Sequence, residues 1–277
     1  MRFGCHLSIR EGYAGAAKRA LAMNAAAFQY FPKNPRSLEV KDFNRDDAKR
    51  CKEFCAEHAL ISVSHSPYPT SLTPQNEKKR EQVVRSLLND LTISETCGSI
   101  GVVVHFGKQM NKSNPLASYH LMIDILNEIL QEWEGEAKIL LENNASSPGT
   151  MGTTLEEHVQ IRNLCDYPEK IGFCFDTCHA FASDLWGGDN WDDVVKKGME
   201  ISYFDVLKLV HFNNSKYEAG SGKDRHAPIF GPGYITEIQF DKVVNTPQLA
   251  HIPFILETPK NEITRDEEIK RLWEKWG

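Results

Sequence analysis

The stretch Ile171-Gly-Phe-Cys-Phe-Asp-Thr-Cys-His-Ala-Phe181 decides how the rest of the chain is read. Ile171 to Phe175 is a short apolar strand that runs directly into polar chemistry. Asp176 and His179 lie three residues apart. On a continuing strand they would face opposite ways. On the first turn of a helix, or in a tight loop, they share one side or serve two neighbouring centres. An apolar strand whose C-terminal end breaks into Asp and His is how α/β enzymes present metal ligands. A single stretch of this kind carries little weight; its recurrence along the chain carries much more.

Working outward, short apolar runs alternate with helical patterns. The strand-like segments are Phe3–Leu7, Ala27–Tyr30, Ile61–Ser64, Ile100–Val104, Lys138–Leu141, Ile171–Phe175, Leu207–Phe212 and Phe254–Leu256. Between them the pattern predicts helices over Tyr13–Met23, Arg45–His58, Gln75–Cys97, Leu116–Trp133, Thr154–Leu164, Trp191–Ile201, Ile235–Val244 and Thr264–Trp276. Apolar strands separated by helices imply a parallel sheet. Eight such units in 277 residues imply an α/β chain folded as a single (β/α)₈ barrel over residues 1–277. The competitor, a doubly wound open sheet, lacks its Gly-x-Gly-x-x-Gly signal after the first strand.

In a barrel the active site lies at the C-terminal ends of the strands. His65 ends the third, His105 the fourth and Glu142 the fifth. The sixth supplies Asp176 and His179 and the seventh ends at His211. The loop that follows carries Asp224-Arg-His226, and the eighth strand ends at Glu257. One histidine at a strand end is more often a hydrogen-bonded structural residue than a ligand. Six consecutive strands ending in His or an acid are a different matter. Five imidazoles and four carboxylates facing one cavity would repel and desolvate badly without compensating cations. His6, near the end of the first strand, lies outside this set but close to it. Mixed imidazole and carboxylate donors suit zinc, and also manganese or iron. At roughly three to five protein ligands per ion the set serves two or three ions.

Composition is ordinary for a globular protein, 41% hydrophobic and 25% charged. No apolar run is long enough to cross a membrane, and Met1-Arg-Phe-Gly-Cys-His6 lacks a signal peptide's apolar core. Seven cysteines, an odd number in mostly apolar or helical settings, fit free thiols in a reducing compartment. The expected location is cytoplasmic. Cys51/Cys55 and Cys174/Cys178 have no partners at zinc-ribbon spacing. The net charge of −6 argues against indiscriminate nucleic-acid binding by a basic surface, though not against a local positive site. No oligomerisation segment stands out, so the chain reads as a monomer.

These residues resemble the endonuclease IV family of zinc-dependent apurinic/apyrimidinic endonucleases, within the xylose-isomerase-like barrels. The resemblance spans nearly the whole chain: Gly4-Cys-His-Leu-Ser8, Ala27-Phe-Gln-Tyr-Phe-Pro-Lys-Asn-Pro-Arg36, Asp176-Thr-Cys-His-Ala-Phe181, His211-Phe-Asn-Asn-Ser-Lys216, Asp224-Arg-His226 and Glu257-Thr-Pro259. It implies a trinuclear zinc site, with manganese or iron able to substitute. His65, His105 and Glu142 would hold the first ion. Glu142 would bridge to a second, held also by Asp176, His211 and Glu257. His179, Asp224 and His226 would hold the third. The implied activity is DNA repair: hydrolysis of the phosphodiester 5′ of an abasic site in duplex DNA, leaving a 3′-hydroxyl. Glu142, His179, Asp224 and His226 would carry the chemistry. Arg36 and Tyr68 match residues that the family inserts into the DNA stack, and Lys216 and Arg225 (with Lys223) are placed to meet phosphates. Pro69, Phe106 and Asn214 depart from the family pattern without removing a ligand. Alternative readings are a metal-dependent sugar isomerase or epimerase on the same barrel, a damage-binding protein without catalysis, and a metal store indifferent to DNA.

Overall fold

A computed structural model describes residues 1–111, 113–147, 150–259 and 263–277. The short apolar runs become parallel strands because β-branched and large apolar side chains pack well on a sheet buried on both faces. The strands are β1 (Arg2–His6), β2 (Ala27–Tyr30), β3 (Ile61–His65), β4 (Gly101–His105), β5 (Lys138–Glu142), β6 (Ile171–Asp176), β7 (Leu207–His211) and β8 (Pro253–Leu256). Each pairs in parallel with the one before it, and β8 closes onto β1. This is the (β/α)₈ barrel that the alternation predicts.

The helices of the described residues are α1 (Tyr13–Ala22), α2 (Arg45–Glu57), α3 (Glu77–Cys97), α4 (Pro115–Glu132), α5 (Leu155–Leu164), α6 (Thr177–Ala182), α7 (Trp191–Glu200), α8 (Tyr203–Val206), α9 (Glu237–Val244) and α10 (Arg265–Trp276). Several start later than their periodicity suggests because a polar residue caps them instead of joining them. Asn76 caps α3 by accepting from the Lys79 amide. Thr154 and Thr236 form capping boxes with Glu157 and Gln239 at α5 and α9. Leu7, Ile100 and Phe212, expected in strands, lie just outside them. Phe212 leaves the sheet to pack against Phe240 and Phe254. Short features added to the expected pattern include α6, α8, and a ribbon pairing Asn214–Ser215 with His226–Ala227.

The barrel interior holds one apolar cluster: Ala27, Val63, Val103, Leu140, Cys174, Leu209 and Ile255. Fully burying each larger member contributes about 1.5–3 kcal/mol. Gly4 completes this level on β1, where a Cβ would stand 1.9 Å from the Ala27 carbonyl oxygen and 2.9 Å from Ile255 Cδ1. Side chains on a strand return to the same face every second residue. The next inward positions are therefore His6, Gln29, His65, His105, Glu142, Asp176, His211 and Glu257. The apolar plug thus fixes where the polar level above it lies.

Candidate metal centre

That polar level is the floor of a cavity of about 600 Å³. Glu142 and His211 are fully buried there, and Asp176 with them. Glu142 is the hub. Its Oε2 lies 3.4 Å from His65 Nε2 and 3.1 Å from His105 Nε2. Its Oε1 lies 2.6 Å from His211 Nδ1 and 3.5 Å from His179 Nδ1. His211 Nδ1 is also 3.4 Å from Glu257 Oε2 and 3.8 Å from Asp176 Oδ2.

The third group comes from α6 and the ribbon. Strand β6 ends at Asp176, which caps α6 by accepting the His179 amide at 2.8 Å. The helical turn so created puts Asp176 and His179 on one side, as their spacing allows. The ribbon brings His226 back over the site. His179 Nε2 and His226 Nε2 lie 3.4 and 3.2 Å from Asp224 Oδ1, and His226 Nε2 is 3.7 Å from Asp176 Oδ2. All nine residues read as ligands are therefore brought together around one cavity.

Hydrogen bonds orient the rings. His65 Nδ1 pairs with the Ser66 carbonyl at 2.8 Å, and His179 Nδ1 with the Asn143 carbonyl at 2.9 Å. Donation to those carbonyls leaves each Nε2 to face the cavity. Asp176 Oδ2 accepts from Asn213 Nδ2 at 2.7 Å, and the Asn143 side chain bonds the Asp176 backbone in both directions.

The charges interlock. Burial alone would lower the histidine pKa values. At His65, Glu142 and Glu257 overcome that and raise the value; at His211, Cys174, Glu257 and Glu142 do so. At His179 the carboxylates of Asp176 and Asp224 do the same, and at His226 those of Asp224 and Asp176. Glu257 is drawn down to about 2, the surrounding imidazoles outweighing its burial.

Donor chemistry and burial both suit metal ions. Glu142 Oε2, His179 Nε2 and His226 Nε2 are buried without a hydrogen-bond partner, an expensive state unless something else satisfies them. Among the described residues, groupings with donor atoms within 4.8 Å of one another include His65/His105/Glu142, Glu142/Asp176/His211/Glu257, Asp176/His179/His226, and Cys178/Asp224/His226. Cys174 makes a further group with Glu142 and His211. Two of the four cysteines set aside by spacing, Cys174 and Cys178, thus sit against the site, although all seven cysteines are buried and none is in a disulfide.

The residues read as DNA contacts are more scattered. Tyr68 is 67% exposed, lines the cavity and packs its ring edge-on to Phe31 at 5.2 Å. Arg225 lines the cavity as well. Arg36 instead lines an adjoining groove with Pro69, Lys79 and Arg85. Lys216 lies at a separate depression beside Tyr234. Lys223 stacks on Tyr217 at 4.2 Å. Of the departures, Phe106 is core, and Asn214 pins the ribbon by donating to the Ile235 carbonyl and accepting its amide, both at 2.9 Å. An Asp at 214 would lose that donor.

Three polar residues of the site escaped the sequence reading: Asn143, Asn213 and Gln29. Gln29 was detectable in principle, being two residues beyond Ala27 on β2. Arg265 also lines the cavity.

Comparison with known proteins gives the chain's family and fold. Residues 17–275 match the model of the xylose isomerase-like TIM barrel family. A probable endonuclease 4 of Symbiobacterium thermophilum is 37% identical over 270 residues, covering 97% of both chains. One from Halothermothrix orenii is 35% identical over 263 residues, covering 94% of each. The crystal structure of endonuclease IV from Thermus thermophilus superposes with a TM-score of 0.86 at 28% identity, over 100% of this chain and 98% of that one. A D-tagatose 3-epimerase-like protein, at 21% identity and a TM-score of 0.72, shares the fold alone.

Proposed function

The chain belongs to the endonuclease IV family of xylose isomerase-like TIM barrels, and we propose that it is a DNA-repair endonuclease. Its reaction is hydrolysis of the phosphodiester 5′ of an abasic site in duplex DNA, leaving a 3′-hydroxyl, at a trinuclear zinc centre. The observation that carries this reading is the convergence of nine imidazoles and carboxylates on one cavity, with Glu142 within 3.5 Å of four histidines. So many donors exceed what one ion takes.

In this reading His65, His105 and Glu142 hold one ion. Glu142, Asp176, His211 and Glu257 hold a second, and His179, Asp224 and His226 a third. When bound, the ions supply Lewis acidity toward phosphate oxygens and a water made acidic enough to attack at neutral pH. The chain's own residues do the positioning. Glu142, shared by the first two sets, would keep those two positions side by side. Asp224 and His226, which line the cavity from the ribbon side, would hold the third position there. Arg225, at the cavity wall, can meet a phosphate. Tyr68 and Arg36 fill the stack where a nucleotide has been extruded. Extrusion costs least where the base is missing, which selects abasic sites. The protein acts as a monomer in the cytoplasm.

The test is incision of a duplex carrying one tetrahydrofuran abasic analogue, before and after chelation, with metals counted on the same sample. That analogue cannot undergo β-elimination, so a cut on its 5′ side is hydrolytic. A chelator-sensitive cut with about three metals per chain is expected. The same metal content with no cut overturns the substrate, and turnover of ketoses instead would favour the isomerase reading.

A further inference from the structure

Of the eight inward positions above the apolar plug, two carry side chains with no place in the ligand sets: His6 and Gln29. Gln29 is fully buried. Its Nε2 donates to Glu257 Oε1 at 2.6 Å and faces His6 Nδ1 at 3.1 Å. Its Oε1 lies 2.7 Å from His211 Nε2. The amide can take only this orientation. Flipped, it would set its oxygen against the Glu257 carboxylate and its NH₂ group against the His211 ring nitrogen. An amide oxygen only accepts, so His211 Nε2 must carry the hydrogen.

This matters because His211 is turned differently from its neighbours. His65 and His179 give their Nδ1 hydrogens to backbone carbonyls and face the cavity with Nε2. His211 faces Glu142, Glu257 and Asp176 with Nδ1. Its outer nitrogen meets a side chain, Gln29, not a backbone carbonyl. The same amide also sets the rotation of Glu257, leaving Oε2 turned toward His211 Nδ1.

We propose that Gln29 is a positioning residue of the metal centre. It dictates which nitrogen His211 presents and how the Glu257 carboxylate is turned, and so sets the affinity of the Glu142/Asp176/His211/Glu257 position. The inference rests on reading those four residues as ion ligands. An amide suits the place where a carboxylate would not. Glutamate at 29 would still accept from His211, but it would lose the donor to Glu257 and add a like charge beside it. Partners that orient a ligating histidine typically change metal affinity about 10–100-fold when removed.

The test uses the full chain as Gln29→Leu, which keeps most of the volume, Gln29→Glu, and His211→Ala as the reference for a lost ligand. Zinc stoichiometry and dissociation constants are read by competition with a chromogenic chelator. The His211 tautomer is read from long-range ¹H–¹⁵N spectra of the zinc-loaded protein. Gln29→Leu is expected to weaken one zinc position about 10–100-fold and to shift the His211 ring nitrogens. Gln29→Glu is expected to keep the His211 tautomer and still weaken zinc. Unfolding of the metal-free variants separates a mere packing defect, which would lower stability without moving the tautomer. Wild-type zinc affinity and unchanged His211 shifts in Gln29→Leu overturn the inference alone. No stoichiometric zinc in the wild type, or full wild-type binding in His211→Ala, overturns the metal reading and this inference together.

Discussion

The floor of the cavity and its surroundings use different classes of residue, carboxylates and imidazoles below, cations and a phenol above. On the floor, Glu142, Asp176 and His211 are wholly buried and each has several fixed partners. At the rim Tyr68 and Arg225 are exposed, as are Arg36 in the adjoining groove and Lys216 at its separate depression; these four are grouped as the rim set. Floor side chains rise from strand ends, where the pleat and the barrel closure leave them one direction to point. Rim side chains rise from loops, and their order is completed by whatever binds there. The difference predicts that floor substitutions remove the chemistry, while rim substitutions remove only grip.

The largest effect should come from Glu142→Gln. The change keeps the shape but removes the charge shared by four histidines. Incision is expected to fall on the order of 10³-fold or more, with fewer metals retained per chain; the tetrahydrofuran duplex and metal analysis check both. His226→Ala, which leaves the barrel strands untouched, should likewise abolish cleavage while the fold survives. A loss in either no greater than that of a rim variant would erase the distinction between the two regions.

Metal removal sharpens the comparison through stability. An ion present at a thousand times its dissociation constant stabilises by about 4 kcal/mol, which for a chain of this size is roughly 10 °C in Tm. Chelation should lower Tm by at least that amount. A Tyr68→Ala variant should show the same drop, since Tyr68 packs on Phe31 and belongs to none of the donor groupings. A chelator shift that depends on Tyr68 would join rim to floor.

Next in size are the rim contacts. Tyr68→Ala and Arg36→Ala should raise KM roughly 10–100-fold, the scale of one to three kcal/mol for a lost stacking contact. Metal content and kcat should change little. Lys216→Ala should do less, flattening the salt dependence of DNA binding by about one unit of log–log slope. Titrations of abasic duplex at several salt concentrations separate the two cases.

The floor was legible because periodicity and strand ends speak directly about it. Val63-Ser-His65 and Leu140-Leu-Glu142 each place a polar side chain two residues beyond an inward apolar one. Gln29 obeys the same rule, yet Ala-Phe-Gln-Tyr reads as a strand with an incidental amide until Ala27 is known to face inward. The ribbon that returns His226 was not legible, since two-residue strands carry no periodic signal. Asp224 and His226 entered the site through clustering and resemblance instead. Arg36 and Tyr68 rested on the resemblance for their roles, because an exposed loop side chain leaves no packing pattern in the sequence. Cys174 and Cys178 were discounted on linear spacing, which says nothing about who faces them across the barrel.

The smallest predicted effect concerns the joint between rim and floor. Lys33, three residues before Arg36, lines the cavity and reaches back to α3. Its ammonium lies 3.0 Å from Asp90 Oδ1 and donates to the Ser86 carbonyl and hydroxyl at 2.8 and 2.9 Å. Both partners are buried, and Asp90 Oδ2 has no hydrogen-bond partner. Burial pushes Asp90 up to about 7, with Lys33 opposing only in part. A carboxyl raised in this way favours the folded chain most when protonated. Its contribution is complete below the ordinary value of 3.8 and is lost as pH climbs to about 7. Tm should therefore fall between pH 5 and 7.5 more steeply in the wild type than in Asp90→Asn, the difference over that window bounded by about 3 kcal/mol. Asp90→Asn also strips Lys33 of its counter-ion, so its whole curve should sit lower; the slope, not the height, is the readout. Incision at pH 7.5 should change less than in Arg36→Ala, because the Ser86 bonds still hold Lys33. Equal slopes would mean that the pair stays ionised across this range and that the joint is indifferent to pH.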